Sequence, residues 1–147
     1  QQALLGELLH QIFETYKPIS SLEFSSKIAL LPSGYVDYLE KKYSVLNEAL
    51  HLDVPIRIND FKAIEAAILK NNAFSELDQL AILADKYYPK SMLAEYELGL
   101  MYEKQEDYKK AMKRYQNASQ MQEIGALTKT MMLEKYDLML SKNAPKK

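Results

Sequence analysis

The sequence predicts an all-α fold: helix-turn-helix repeats closed by a C-terminal capping helix and preceded by additional N-terminal helices. Three observations predict it. From residue 58 onward the chain matches itself at a period of 34 residues, and apolar residues recur at three- and four-residue spacing along most of its length. With four Gly and five Pro among 147 residues, and abundant Leu, Ala, Glu and Lys, the composition favours helix. A chain of this length buries about 68–70% of the surface its unfolded form exposes, enough for a core of its own.

In residues 1–18, Leu4, Leu5, Leu8, Leu9, Ile12, Phe13 and Tyr16 line one face of a helix that Pro18 ends. The pattern begins almost at Gln1, so this helix reads as the end of a preceding domain in a longer protein. Residues 19–57 read as a linker and a packing helix. Pro32-Ser33-Gly34 marks the connection, and Ser33 is expected to cap a helix with the stripe Val36, Leu39, Tyr43, Leu46 and Leu50. Pro55 then holds the chain extended until Asn59 or Asp60 caps the next helix.

Residues 58–91 and 92–125 form the repeats, and 126–141 a single closing helix. The period aligns Ile64 with Leu98 and Met132, Ile68 with Tyr102 and Tyr136, Leu77 with Ala111, and Ala84 with Ala118. In the second unit Leu98-Gly99-x-x-Tyr102 is followed by Ala111-x-x-x-Tyr115-x-x-Ala118, which resembles the tetratricopeptide repeat (TPR) pattern. Such a pattern implies two helices in close approach at the small residues, with aromatic rings filling the space left. The first unit is degenerate: Phe61, Ile64, Ile68, Ala84 and Pro89 fit, while Glu65 stands where the small residue belongs. Glu95 and Glu123 depart from the pattern in the second unit, at the places of its large aromatic and its proline.

The order of the pieces also resembles the C-terminal extension of a group of bacterial esterase-like proteins of the α/β-hydrolase superfamily. There a helix of the form A-L-x-x-G-L-x-x-I-F precedes a linker, a helix like S-x-Y-x-x-Y-L-x-x-K-Y, and TPR-like repeats. Ala3 to Phe13 and Tyr35 to Tyr43 are similar, with the glycine displaced by two places. The resemblance implies that the nucleophile, acid and histidine of any hydrolase lie before Gln1, so it assigns no catalytic residue here.

Chemistry is otherwise sparse. Nineteen basic and twenty acidic residues leave a net charge of −1, which gives no field to attract a nucleic-acid backbone. The absence of cysteine removes disulfides, thiolate metal sites and thiol nucleophiles, and fits cytoplasm and periplasm equally. The longest tight apolar run, Ile28 to Leu31, is far below the roughly 18 residues of a membrane-spanning helix, so no membrane insertion is expected. Nucleophile-elbow, phosphate-loop, dinucleotide and zinc-protease motifs are missing, so no catalytic, cofactor-binding or metal-binding residue is assigned.

The remaining candidates read most simply as structure. His10 and His51 lie in separate segments, without ligand spacing around them. Glu103, Glu106 and Asp107 mark a solvated turn with Asp107 as a cap, and Lys109, Lys110, Lys113 and Arg114 a solvated basic face. The eleven tyrosines, and Met131 and Met132 with Leu133 on the apolar face of the last helix, read as packing groups.

The repeat register places Lys62, Ala66 and Leu69 of the first unit and Leu93, Tyr96 and Leu100 of the second on the concave face. That surface is largely apolar, so the expected ligand is an amphipathic helix, either from a partner protein or from the chain itself, with a homo-oligomer left open. The sequence therefore reads as a non-catalytic interaction or structural module in a larger protein. Its alternative is an accessory region that shapes or covers the active site of a hydrolase.

Overall fold

A computed structural model describes residues 27–145 and shows an all-α architecture. The helix expected over residues 1–18 lies outside the described residues. The others are α1 (Tyr35–Leu50), α2 (Ile58–Lys70), α3 (Glu76–Tyr87), α4 (Leu93–Lys104), α5 (Tyr108–Ser119) and α6 (Lys129–Asn143). Among the described residues the only extended pairings are two isolated bridges, Ser91 with Gln122 and Ile124 with Leu127.

α1 buries the predicted stripe through Val36, Leu39 and Tyr43, joined by Tyr35. Its N-terminus is not capped by Ser33. Gly34 adopts a left-handed conformation (φ 74°) that turns the chain into the helix, and the acceptor comes from α3. The Glu76 carboxylate accepts from the Gly34 N–H at 3.1 Å and the Val36 N–H at 3.2 Å, which satisfies two donors that the helix leaves open. A side chain 42 residues away thus does the work expected of the neighbouring serine.

The α1–α2 connection is held by side chains rather than by a local cap. Asp60 caps nothing, and Asn59 makes no side-chain cap bond, because the helix starts one turn earlier, with Arg57 at its N-cap. Asp60 is instead 5% exposed, accepts from the Tyr43 hydroxyl and pairs with Arg57 at 3.6 Å. The Tyr43 hydroxyl also accepts from the Arg57 N–H, and the Tyr88 hydroxyl donates to the Ile56 carbonyl at 2.7 Å. These bonds fix a segment that Pro55 keeps out of helix.

α4 and α5 pack closely, and Gly99 shows why. A Cβ on residue 99 would lie 2.6 Å from the Tyr115 ring, so only glycine lets the two helices meet at that distance. Ala111 and Ala118 are fully buried on the facing stripe of α5, as the pattern requires. α4 also lies close against α3, and α6 close against α5. α2 stands farther from α3, and Glu65 stands at the register position that glycine occupies in α4.

Asp107 caps α5 as expected, accepting from the Lys110 N–H. The last helix begins at Lys129 and not near Ala126, because residues 121–128 form a turn in which Gly125 (φ 58°) passes the Ile58 side chain of α2. Thr128 caps α6, and Met132 and Met139 are buried in the smaller core cluster with Ala111, Tyr115 and Ala118. The larger cluster joins α1 to α4.

Two substitutions measure these devices by urea denaturation. Glu76→Ala is expected to lower the unfolding free energy by about 1–2 kcal/mol, with Glu76→Gln, which keeps one acceptor oxygen, in between. Equal stabilities would mean that the long-range cap contributes nothing. Gly99→Ala gains up to about 1 kcal/mol in helix propensity but overpacks a buried ring at a cost of about 1–3 kcal/mol, so a net loss is expected.

Candidate functional site

Side chains of α2, α4, α5 and α6 meet in a polar cluster within the fold. Of the six residues expected on an open concave face, Lys62 and Ala66 of α2 are exposed, and Leu69 of α2 and Tyr96 of α4 are half-buried. Leu93 and Leu100 do not line that face. Each is 3% exposed and packed into the larger core cluster. The reason lies in the neighbours: with α3 and α5 both close against α4, few sides of that helix remain open. Of the six, Lys62, Ala66, Leu69 and Tyr96 therefore remain at least partly accessible.

Beneath them lies a cluster that the sequence did not single out. Glu97 of α4 is 1% exposed, and its Oε2 has no hydrogen-bond partner among the described residues. Its neighbour is Glu65 of α2, which is within hydrogen-bonding reach. Burial raises the pKa of Glu97 well above the usual carboxylate range, and the Glu65 charge and hydrogen bond raise it further. Burial also raises Glu65, but the bond from Glu97 and the charges of Lys135 and Lys62 oppose that rise. Burial therefore favours a protonated carboxyl within the pair.

Next to the pair, the Tyr115 hydroxyl of α5 donates to Glu103 Oε1 at 2.7 Å, and Lys135 of α6 donates to the same oxygen at 3.3 Å. The Lys135 ammonium also stands 5.6 Å from the centre of the Tyr115 ring. Burial and the bond to Glu103 push the Tyr115 phenol up. Tyr96, whose ring packs against that of Tyr115, is pushed up by burial and by the three surrounding glutamates. Neither phenol ionises near neutral pH.

On another side of α4, Arg114 donates to both oxygens of Glu95 at 3.2 and 3.3 Å. An ion pair thus takes the place of the large aromatic that the repeat pattern expects at residue 95. This also removes Arg114 from the basic face, where Lys109 and Lys113 stay exposed. α6 turns Met132 and Met139 inward and leaves Leu133, Leu138 and Leu140 43%, 46% and 49% exposed.

The cluster brings carboxyls, two phenols and the Lys135 ammonium together. Among the described residues no three His, Cys, Asp or Glu side chains are grouped to hold a metal ion, and no helix is long and apolar enough to cross a membrane. Glu65 had one visible signal, a charge where its repeat wants a small residue. Glu97 had none, because its burial depends on what surrounds α4.

No protein-family model matches the chain, and no curated protein matches it. Among solved structures it is similar to the crystal structure of an uncharacterised protein from Capnocytophaga ochracea DSM 7271, with a TM-score of 0.81 and 30% sequence identity. The match covers 92% of this chain and 38% of that one, so the chain spans well under half of that protein's length.

Tyr115→Phe keeps the ring against Gly99 and removes only the bond to Glu103. A loss of about 1–1.5 kcal/mol is expected, against about 3–5 kcal/mol for Tyr115→Ala. Chemical denaturation of both variants checks this, and equal losses would mean that the hydroxyl, not the ring, carries the contact.

Proposed function

We propose that this chain is a TPR-like helical-repeat module, non-catalytic by itself and part of a larger protein. It binds an amphipathic helix, from a partner protein or from its own chain, across Lys62, Ala66 and Leu69 of α2 and Tyr96 of α4. The observation that carries the reading is the crossing of α4 and α5 at Gly99. Glycine, alanine and aromatic residues meet there in the order and spacing of the TPR pattern, within a 34-residue period. Modules of this kind present the first helices of their hairpins to ligands. The four residues offer an apolar strip with one cation at its edge, which suits an amphipathic helix bearing acidic flanking groups.

The exposed leucines of α6 and the 38% coverage of the similar structure support membership of a larger assembly. They also favour a second reading, in which the module shapes or covers the active site of an attached hydrolase. Its support is the similarity of Ala3 to Phe13 and Tyr35 to Tyr43 to the esterase-like extension. Under that reading, deleting residues 58–147 from the full-length protein changes KM for an ester substrate.

Panning a displayed library of helical peptides against the chain tests the main reading. Amphipathic sequences are expected to be enriched, and Leu69→Glu is expected to weaken their binding at least about tenfold, or 1.4 kcal/mol, without loss of the fold. Ester turnover by the purified chain, or the absence of any selected peptide, would count against it.

A further inference from the structure

A buried carboxyl without a cation beside it is the feature of this molecule that packing leaves unexplained. Glu97 is 1% exposed, its Oε2 has no partner among the described residues, and the group it faces is another carboxyl, that of Glu65. Every other buried or half-buried carboxylate named above has a donor: Asp60 has Tyr43 and Arg57, Glu103 has Tyr115 and Lys135, and Glu95 has Arg114. Two like charges beside each other in a poorly solvated site repel, which favours a proton shared by the pair.

The pair also joins two helices that share an apolar core but make few close backbone contacts. α2 lacks the glycine that lets α4 approach α5, and its backbone is not in extensive close contact with that of α4. Their link is made by side chains, and Glu65–Glu97 is its polar part. We propose that the proton held between Glu97 and Glu65 latches α2 to α4, and that its loss opens the seam between the two helices and reshapes the binding face above it.

The charged surroundings set the direction of the switch. α2 contributes Lys62, α4 contributes Tyr96 and Glu103, α5 contributes Tyr115, and α6 contributes Lys135. The buried residues of α3 facing the core are Leu77, Leu80, Ala81, Leu83 and Ala84, all apolar. Lys135 is already bonded to Glu103, and Lys62 is exposed, so neither replaces the proton at Glu97. The folded pair has its proton affinity raised, whereas the unfolded chain ionises both groups in the ordinary range. Its contribution to stability is therefore fully present below the ordinary carboxylate pKa and is lost as pH rises through the raised value.

As a regulator of the binding face, the latch rests on the reading given above; as a property of the fold, it does not. The test therefore uses the free chain. Because the protein has no cysteine, Lys70→Cys on α2 and Lys104→Cys on α4, both exposed positions, accept a pair of nitroxide spin labels without background. The distance between labels is measured by pulsed electron paramagnetic resonance from about pH 5 to pH 9, the span in which buried glutamates titrate.

The expected result is a shift to longer distances as pH rises, absent in Glu97→Gln, whose amide donates to Glu65 without titrating. An unchanged distance in the native pair, or the same shift in Glu97→Gln, overturns the latch. Should Glu97→Gln fail to fold, Glu65→Gln serves instead: the shift should vanish or move to lower pH, and a shift at the native pH overturns the proposal. Peptide selection fails or succeeds independently of this measurement, so the two ideas fall separately.

Discussion

The ring of Tyr115 occupies the space that a side chain on residue 99 would need, and much of the molecule is arranged around that contact. It brings α5 against one side of α4 while α3 lies against another, so α4 becomes an interior helix. Leu93 and Leu100 are drawn into the core as a result, and so is Glu97. The same ring orients its hydroxyl toward Glu103, and the lysine of α6 settles on both the acid and the ring. One absent methyl group thus permits the close crossing of α4 and α5.

Local spacing was the part of this organisation that the sequence made readable. Gly99, Ala111, Tyr115 and Ala118 could be picked out because close-packed helices need small and aromatic groups at fixed intervals, and Asp107 because a cap acts three residues along the chain. The helix stripe of α1 was legible for the same reason, while on α6 Met132 was read correctly and Leu133 was not, since it is exposed. What stayed hidden depended on distant partners. Ser33 was the natural cap for α1 until Glu76, far along the chain, proved to be the acceptor. Leu93 and Leu100 were assigned to an open face because a helical wheel gives directions but not neighbours. Asp60 looked like a cap because its partner, the hydroxyl of Tyr43, sits one helix earlier.

The α2–α3 and α4–α5 pairs differ in how closely they approach. Glycine at residue 99 permits the close crossing of α4 and α5, while glutamate stands 34 residues earlier, at residue 65. The glutamate meets α4 rather than α3, and there it forms the carboxyl pair with Glu97. A degenerate repeat is usually read as a weakened copy of a good one. Here the departure from the pattern creates chemistry that a regular stack would not hold, since a small residue at position 65 would leave Glu97 facing no titratable partner.

The carboxylate of Glu76 has a consequence beyond filling two hydrogen bonds. It belongs to the first residue of α3 and reaches the first turn of α1, so the starts of two helices converge on it. Each start carries roughly half a positive elementary charge from its aligned peptide dipoles, and two such poles brought together repel. A single anion between them turns that repulsion into attraction toward a common point. Residue 76 is therefore constrained by its sign as well as its shape: an aspartate would be one methylene shorter, and a glutamine would leave the two poles facing each other without an anion between them.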